Sequence, residues 1–366
     1  MAATLQPAAE LPTAFDAPDR AAQLSALLTG AGVAALDHTG WIRVTGGDRV
    51  RWLNGMVTNA IQDLAPGEGC YNFVLNAQGR IQGDLTAFAQ SDELLLETDL
   101  HRLPGLIAIL DHFIIMDDVE LSDISAERKG LDLAGPRAAA ILQGLGLLTA
   151  QPQPLHLQTA TCRAAVVDLI HAYSPLVDRY ELWSDARTID RIGEELTAAV
   201  AVPMSPEALE DLRILEGTPR YGTDIRNSET ARDLPQETGQ TRALNFSKGC
   251  YLGQEIVERI RSRGAVHRTF SGFQLDGSLP TAGTILTGPE PGADGRPVGE
   301  LTSVAAIELP EALSPSGEMR LALGYIRREA LADARARSLP LRYPGGVATP
   351  IALPWAFGQP SGRPPG

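Results

Sequence analysis

Cysteine is scarce in this chain. Three occur in 366 residues, Cys70, Cys162 and Cys250, far apart and never as a C-x-x-C pair. That spacing argues against a disulfide framework or a zinc knuckle, and an odd count leaves at least one thiol free. Three scattered thiols also fall short of the four thiolates that usually hold an iron–sulfur cluster. Long apolar runs are missing too, and no stretch approaches the roughly 20 residues that a membrane span requires. Basic charge is in deficit, with 31 Lys and Arg against 45 Asp and Glu and a net charge of −14. General nucleic-acid binding needs a basic footprint to neutralise phosphate, so direct contact with nucleic acid is disfavoured. No phosphate-binding loop, dinucleotide fingerprint, G-x-S-x-G or H-E-x-x-H occurs, and the six histidines suggest no metal cluster. Nucleotide hydrolysis, hydride transfer on a Rossmann site, esterase chemistry and zinc proteolysis therefore lack support.

What is present reads as a soluble, multidomain chain. Apolar content of 44% and charged content of 21% are ordinary for globular proteins. Residues 1–20, rich in Ala and Pro, lack the basic start and apolar stretch of a signal or transit peptide, so a cytoplasmic location is expected. Helix-type periodicity recurs at 21–28, 48–56, 101–113, 136–143, 186–199 and 206–215. Strand-type composition marks 33–36, 41–44, 71–75, 80–89, 94–97, 116–122, 130–134, 164–170 and 179–183. Asn76-Ala77-Gln78-Gly79 reads as a hairpin turn. This order, without βαβ glycine fingerprints, predicts an α+β fold with antiparallel sheets. Residues 220–246 form a long polar, turn-rich stretch, and long loops in compact proteins are usually functional. After Gly264 short strands alternate with Gly/Pro turns, which predicts a small β-barrel. The expected division is 20–263 and 264–356, with flexible tails at 1–19 and 357–366.

The densest chemistry lies in Lys248-Gly249-Cys250-Tyr251-Leu252-Gly253-Gln254-Glu255. Two glycines allow a sharp bend just before a helix whose inward positions are Ile256, Val257 and Ile260. Cys250 stands beside Lys248 and near a helix N-terminus, surroundings that favour a thiolate. The helix continues into a basic run, Arg259, Arg261, Arg263, His267 and Arg268. That run is either a solvated face or the rim of a pocket for a polyanion such as a polyglutamate tail.

This eight-residue run closely resembles the signature of the YgfZ family of folate-binding proteins, matching all seven specified positions. That family is related to the aminomethyltransferase, or T-protein, of the glycine cleavage system. The resemblance implies two interleaved antiparallel α/β subdomains and a C-terminal β-barrel around a central folate channel. It also implies tetrahydrofolate or a related reduced folate as cofactor. The implied role is iron–sulfur-cluster assembly or repair, with an indirect effect on tRNA modification and with iron–sulfur carrier or client proteins as partners. The residues 76–85, Asn-Ala-Gln-Gly-Arg-Ile-Gln-Gly-Asp-Leu, resemble the T-protein stretch whose aspartate faces the reactive folate nitrogens, and Asp84 falls on it. T-proteins often carry two adjacent acids there, whereas this chain has Gly83-Asp84. Tyr180-Glu181-Leu182-Trp183 resembles the segment whose glutamate pairs with the pterin. Arg213, Tyr221 and the loop 234–239 resemble the family's arginine-led helix and channel-lining loops. By itself Arg213 either binds a carboxylate or pairs with Glu216. The resemblance assigns Cys250, Lys248 and Asp84 to chemistry. It assigns Asp84, Glu181, Arg213, Tyr221, Gly253, Gln254, Glu255 and Arg263 to the cofactor. The alternative function is a tetrahydrofolate-dependent aminomethyltransferase, and a non-enzymatic scaffold is a third reading.

Overall fold

A computed structural model describes residues 19–162, 164–228, 233–264, 266–288, 295–309 and 317–357. The side chains of Cys162 and Arg263 lie outside that description. The chain divides into two compact units, each drawn from separate stretches of sequence. The first joins the described residues up to His38 to Ile124–Leu209, and the second joins Thr39–Asp123 to the residues from Glu210 onward.

The first unit is built on a six-stranded sheet, ordered Val202–Pro203, Gly32–Ala35, Lys129–Ala134, Arg179–Ser184, Ala165–His171 and His156–Cys162. All neighbours are antiparallel except the first pair. One face carries Leu131, Leu133, Val167, Leu169, Tyr180 and Leu182 onto Ile189, Ile192 and Leu196 of the helix Ala186–Ala198. Asp185 caps that helix by accepting from Thr188 N at 3.0 Å. Each fully buried aliphatic or aromatic side chain here contributes about 1.5–3 kcal/mol.

The second unit holds a five-stranded antiparallel sheet, ordered Gly69–Leu75, Ile81–Ala89, Leu94–Asp99, Thr39–Thr45 and Glu120–Asp123. Along Ile81–Ala89, buried Ile81, Gly83, Leu85 and Ala87 alternate with half-buried Gln82, Asp84 and Thr86. The helices Arg49–Met56 and Leu103–Asp111 supply Trp52, Leu53, Leu106 and Leu110 to the same apolar cluster. The unit also contains a closed six-stranded antiparallel barrel, in the order Arg268–Gly277, Glu318–Arg327, Pro297–Glu308, Ile285–Thr287, Leu341–Tyr343 and Gly346–Ile351. Closure pairs the last strand with the first, which leaves no exposed edge along the paired residues. The fold is thus mixed α/β with a C-terminal antiparallel barrel, as the sequence predicts.

Local departures from the expectation have identifiable causes. The strand expected at 116–122 is confined to Glu120–Asp123. Asp118 instead turns back on the Gly46–Asp48 bend, accepting from Gly47 N through its side chain at 2.8 Å and from Asp48 N through its carbonyl at 3.1 Å. The polar alternation of His156–Cys162 conceals a strand, and the barrel sequence contains a helix, Arg328–Arg337. That helix is nearly all Ala, Arg, Glu and Leu, the strong helix formers, and a reading by turn texture passes over it. No helix among the described residues is long and apolar enough to cross a membrane.

Candidate functional site

Asp84 is placed by the hairpin before it. Asn76 Oδ1 accepts from Gln78 N and Arg80 N, each at 3.0 Å, and Gly79 adopts φ +69. An asparagine bonding its own turn and a glycine in the left-handed region together close the loop. Asp84 then lies opposite Phe73 in the second strand of the sheet, which is not an edge strand. Tyr71, diagonal to it across the ladder, donates its hydroxyl to Asp84 Oδ2 at 2.7 Å. Burial pushes the Asp84 carboxyl above its ordinary range, against the Tyr71 hydrogen bond and the Arg242 charge, while Asp99 adds to the rise. Arg242 lies 4.1 Å over the Tyr71 ring. Tyr221 donates to Gln82 O at 2.5 Å, and Arg102 stands 5.9 Å from its ring centroid. Burial first, and the Asp84 charge second, push the Tyr221 phenol up. Asp84 therefore has Tyr71, Tyr221 and Arg242 around it, with Arg102 beyond at the Tyr221 ring, and sequence reading passed over all of these but Tyr221. Counting the hairpin register back from the turn could have found Tyr71; nothing local marks Arg102 or Arg242.

The Lys248–Glu255 turn packs on that same hairpin. Gly253 adopts φ +82, and a Cβ there would stand 2.5 Å from Asn76 O. At Gly79 a Cβ would meet Ile256 Cβ at 2.8 Å. Both glycines are therefore required by close approach as well as by conformation. Gln254 Oε1 accepts from Tyr251 N at 3.3 Å and braces the bend, while Glu255 is exposed in the first helical turn. Cys250 is a free, exposed cysteine.

Lys248 faces the opposite way. It is 7% exposed, and its ammonium donates to Asn54 O at 2.7 Å, Val57 O at 2.7 Å and Asn59 O at 2.5 Å. An ammonium has three protons, and all three are engaged. The expected role of Lys248 in stabilising a Cys250 thiolate is therefore corrected: it ties the turn to the end of the helix Arg49–Met56. Burial pulls the Lys248 amine down to about 8, while the charge of nearby Cys70 opposes the fall. Burial pushes the Cys70 thiol up to about 11, against the Asn72 hydrogen bond and the Lys248 charge.

Arg213 is also corrected. Its Nε and Nη2 reach the Glu210 carboxylate at 2.9 and 2.7 Å, and Nη2 also donates to Ser303 Oγ at 2.7 Å. Nη1 donates to Thr218 O at 2.6 Å and Asp224 Oδ2 at 2.7 Å. Those contacts use all five guanidinium donors, so none is left for a ligand and none goes to Glu216. Asp224, 0% exposed, further accepts from Arg220 N at 3.0 Å, Thr302 at 2.5 Å and Ser303 at 2.8 Å. Arg226 grips Glu300 at 2.7 and 3.1 Å, and Arg268 reaches Asp233 at 2.6 Å and Glu237 at 3.0 Å. The stretch after Arg220 is thus stapled to barrel strands by ion pairs.

Glu181 belongs to the first unit. Its neighbours Tyr180 and Leu182 enter the apolar core, so Glu181 and Trp183 occupy the other face of the sheet. Glu181 is 4% exposed, accepts from Trp183 Nε1 at 3.2 Å and lies 3.5 Å from Arg179 Nη2. Arg179 spends its Nε on Asp132, the residue directly across the ladder from Glu181, at 2.9 and 3.0 Å. Arg263, also assigned to the cofactor, has its side chain outside the described residues.

Residues 8–248 match the model of the GCVT N-terminal domain. The chain belongs to the GCVT N-terminal domain family. A chloroplastic protein of Arabidopsis thaliana named as a candidate transferase is 27% identical over 319 residues, covering 86% of this chain and 69% of that protein. The aminomethyltransferase of Geobacillus kaustophilus is 25% identical over 340 residues, covering 90% and 88% of the two chains. The crystal structure of aminomethyltransferase T from Bartonella henselae superposes with a TM-score of 0.76 at 18% identity, over 92% of this chain and 89% of that one. The GCVT fold therefore extends beyond the matched domain through the barrel.

Proposed function

We propose that this GCVT-family chain binds a reduced folate, tetrahydrofolate or a close relative, and serves iron–sulfur-cluster assembly or repair in the manner of the YgfZ family. Its effect on tRNA modification is then indirect, through iron–sulfur enzymes, and its partners are carrier or client proteins in the cytoplasm. The observation that carries this reading is the exposed Cys250 on a turn packed against the very hairpin that places Asp84. Residues 20–263 are read as the folate-binding region and 264–356 as a barrel module.

Asp84 and Glu181 are each carboxylates of the kind that a pterin's donors would engage. A pterin presents adjacent N–H donors, and a carboxylate accepts two of them in one plane as charge-assisted bonds. Tyr71 takes one lone-pair direction of Asp84, and a carboxylate offers about four. Arg213 does not fit, because its donors are spent. Cys250 is the reactive thiol in this reading, with Gly253 and Gln254 shaping its turn.

A second reading, a tetrahydrofolate-dependent aminomethyltransferase, draws support from Asp84. A carboxyl raised by burial keeps its proton to higher pH than an ordinary aspartate and can exchange it with a folate nitrogen. Calorimetric titration with tetrahydrofolate and folinic acid tests the binding step. Asp84→Asn and Glu181→Gln should each weaken affinity at least tenfold, while Cys250→Ala binds folate as wild type but fails to restore cluster-enzyme activity in a deletion strain. Stoichiometric ammonia release from an aminomethylated lipoyl carrier would instead favour the transferase. Full rescue by Cys250→Ala would remove the thiol from the mechanism.

A further inference from the structure

The second unit carries a cavity of about 530 Å³ whose lining includes none of Asp84, Glu181 and Cys250. Its walls are the start of the strand Arg268–Gly277, the helix Arg328–Arg337 and the short turn Pro235–Glu237. Phe270 and Leu331 give it an apolar floor, and Ser271 adds a hydroxyl. Arg328 and Arg335 both line it. They stand seven residues apart, two turns of one helix face, so their Cα atoms are about 10 Å apart along the axis.

Arg328 and Arg335 make this a place for negative charge. Neither has an ion-pair partner among the described residues, whereas their helix neighbour Arg337 pairs with Asp333 at 3.3 Å. Both are exposed, and the first helical turn also carries Glu329. Gln236 donates its Nε2 to Val257 O at 2.9 Å, and its Oε1 is an acceptor that a carboxylate or phosphate does not satisfy, so the charged groups of a ligand belong on the two arginines.

We propose that this cavity binds a small organic dianion whose two acidic groups lie about 10 Å apart, matching the spacing of Arg328 and Arg335 along their helix. Each acidic group takes one guanidinium, where the planar fork recognises carboxylate or phosphate through paired hydrogen bonds. The intervening part of the ligand covers Phe270 and Leu331. The volume lies within the range of small-molecule sites, so the whole ligand can be accommodated. Phosphate and carboxylate share this chemistry, and the geometry requires only the separation.

Titration calorimetry of the full chain at low salt tests this with four probes. Fructose 1,6-bisphosphate and suberate carry widely separated phosphates and carboxylates, while inorganic phosphate and succinate are short controls. At least one long dianion should bind tenfold or more tightly than its short control, and which one does so identifies the acidic group. R328Q/R335Q should weaken that binding at least tenfold without altering the circular dichroism spectrum or the melting temperature. Ala332→Trp, on the same helix, blocks the cavity sterically while keeping both charges, and should abolish binding too. Equal binding of long and short anions, or wild-type binding by both variants, would overturn the assignment.

Discussion

Two acids in the second unit, fully buried Asp224 and half-buried Asp84, are treated in opposite ways. Asp224 accepts four hydrogen bonds, from Arg213, Arg220 N, Thr302 and Ser303. The Asp84 carboxylate takes one, from Tyr71, and burial raises its carboxyl. A buried carboxylate that is fully satisfied is part of the architecture, whereas one left short of donors stores a preference for a proton or a ligand. The contrast separates an acid that holds the fold from one left short of donors. Family resemblance had pointed to Arg213 and Asp84 alike, and the hydrogen-bond inventory separates them.

The largest effect expected from breaking this contrast is at Asp224. Asp224→Ala leaves the Arg213 guanidinium and two hydroxyls without their acceptor and should cost about 3–5 kcal/mol in urea unfolding. A loss below about 1 kcal/mol would mean that the satisfied network is dispensable.

Asp84→Asn should behave in the reverse sense. A carboxyl raised in the folded state binds its proton there more tightly than in the unfolded chain, so folding loses stability as pH climbs from the unfolded value near 3.8. Removing the ionisable group removes that loss. The variant should melt at or above the wild-type temperature at pH 7 while tetrahydrofolate affinity falls at least tenfold, about 1.4 kcal/mol. A marked fall in melting temperature would place Asp84 with Asp224 as an architectural acid.

Lys248 sharpens the comparison with a third buried charge, satisfied by three carbonyls yet still depressed to about 8. Here the unfolded chain holds the proton more tightly, so stability rises with pH from about 8 toward the ordinary lysine value of 10.5. Cys70 works against it: a thiol raised to about 11 from an ordinary 9.0 makes stability fall above pH 9. Wild type should therefore gain roughly 1 kcal/mol between pH 8 and 9 and level off beyond, and Lys248→Met should flatten the first rise. Denaturant midpoints taken across this pH range check the slope.

Much of this molecule is readable in its sequence, because the signals are local. Asn76 and Gly79 announce a hairpin through their own turn chemistry, and Gly253 marks the entry to the helix Gln254–Arg263. The alternation Ile81, Gly83, Leu85, Ala87 places Asp84 on the half-buried face without any knowledge of its neighbours. Even the barrel is visible in its short strands and turns, although the helix Arg328–Arg337 escapes that texture. The acids and the thiol proposed for the site stand out as residue types in the sequence, but their surroundings do not. Arg242 and Tyr71 meet at Asp84 only through strand pairing and loop packing.

The sequence by itself determined the family, the strand and turn that carry Asp84, and the glycine-hinged bend that presents Cys250, since each depends on residues within a few positions of one another. Tertiary structure decided what the charged residues are free to do. Lys248 finds its three carbonyls 189 to 194 positions away, and Arg213 reaches Ser303 across 90. A donor's partners are set by which backbones the fold brings within hydrogen-bond reach, and a linear pattern does not encode that distance.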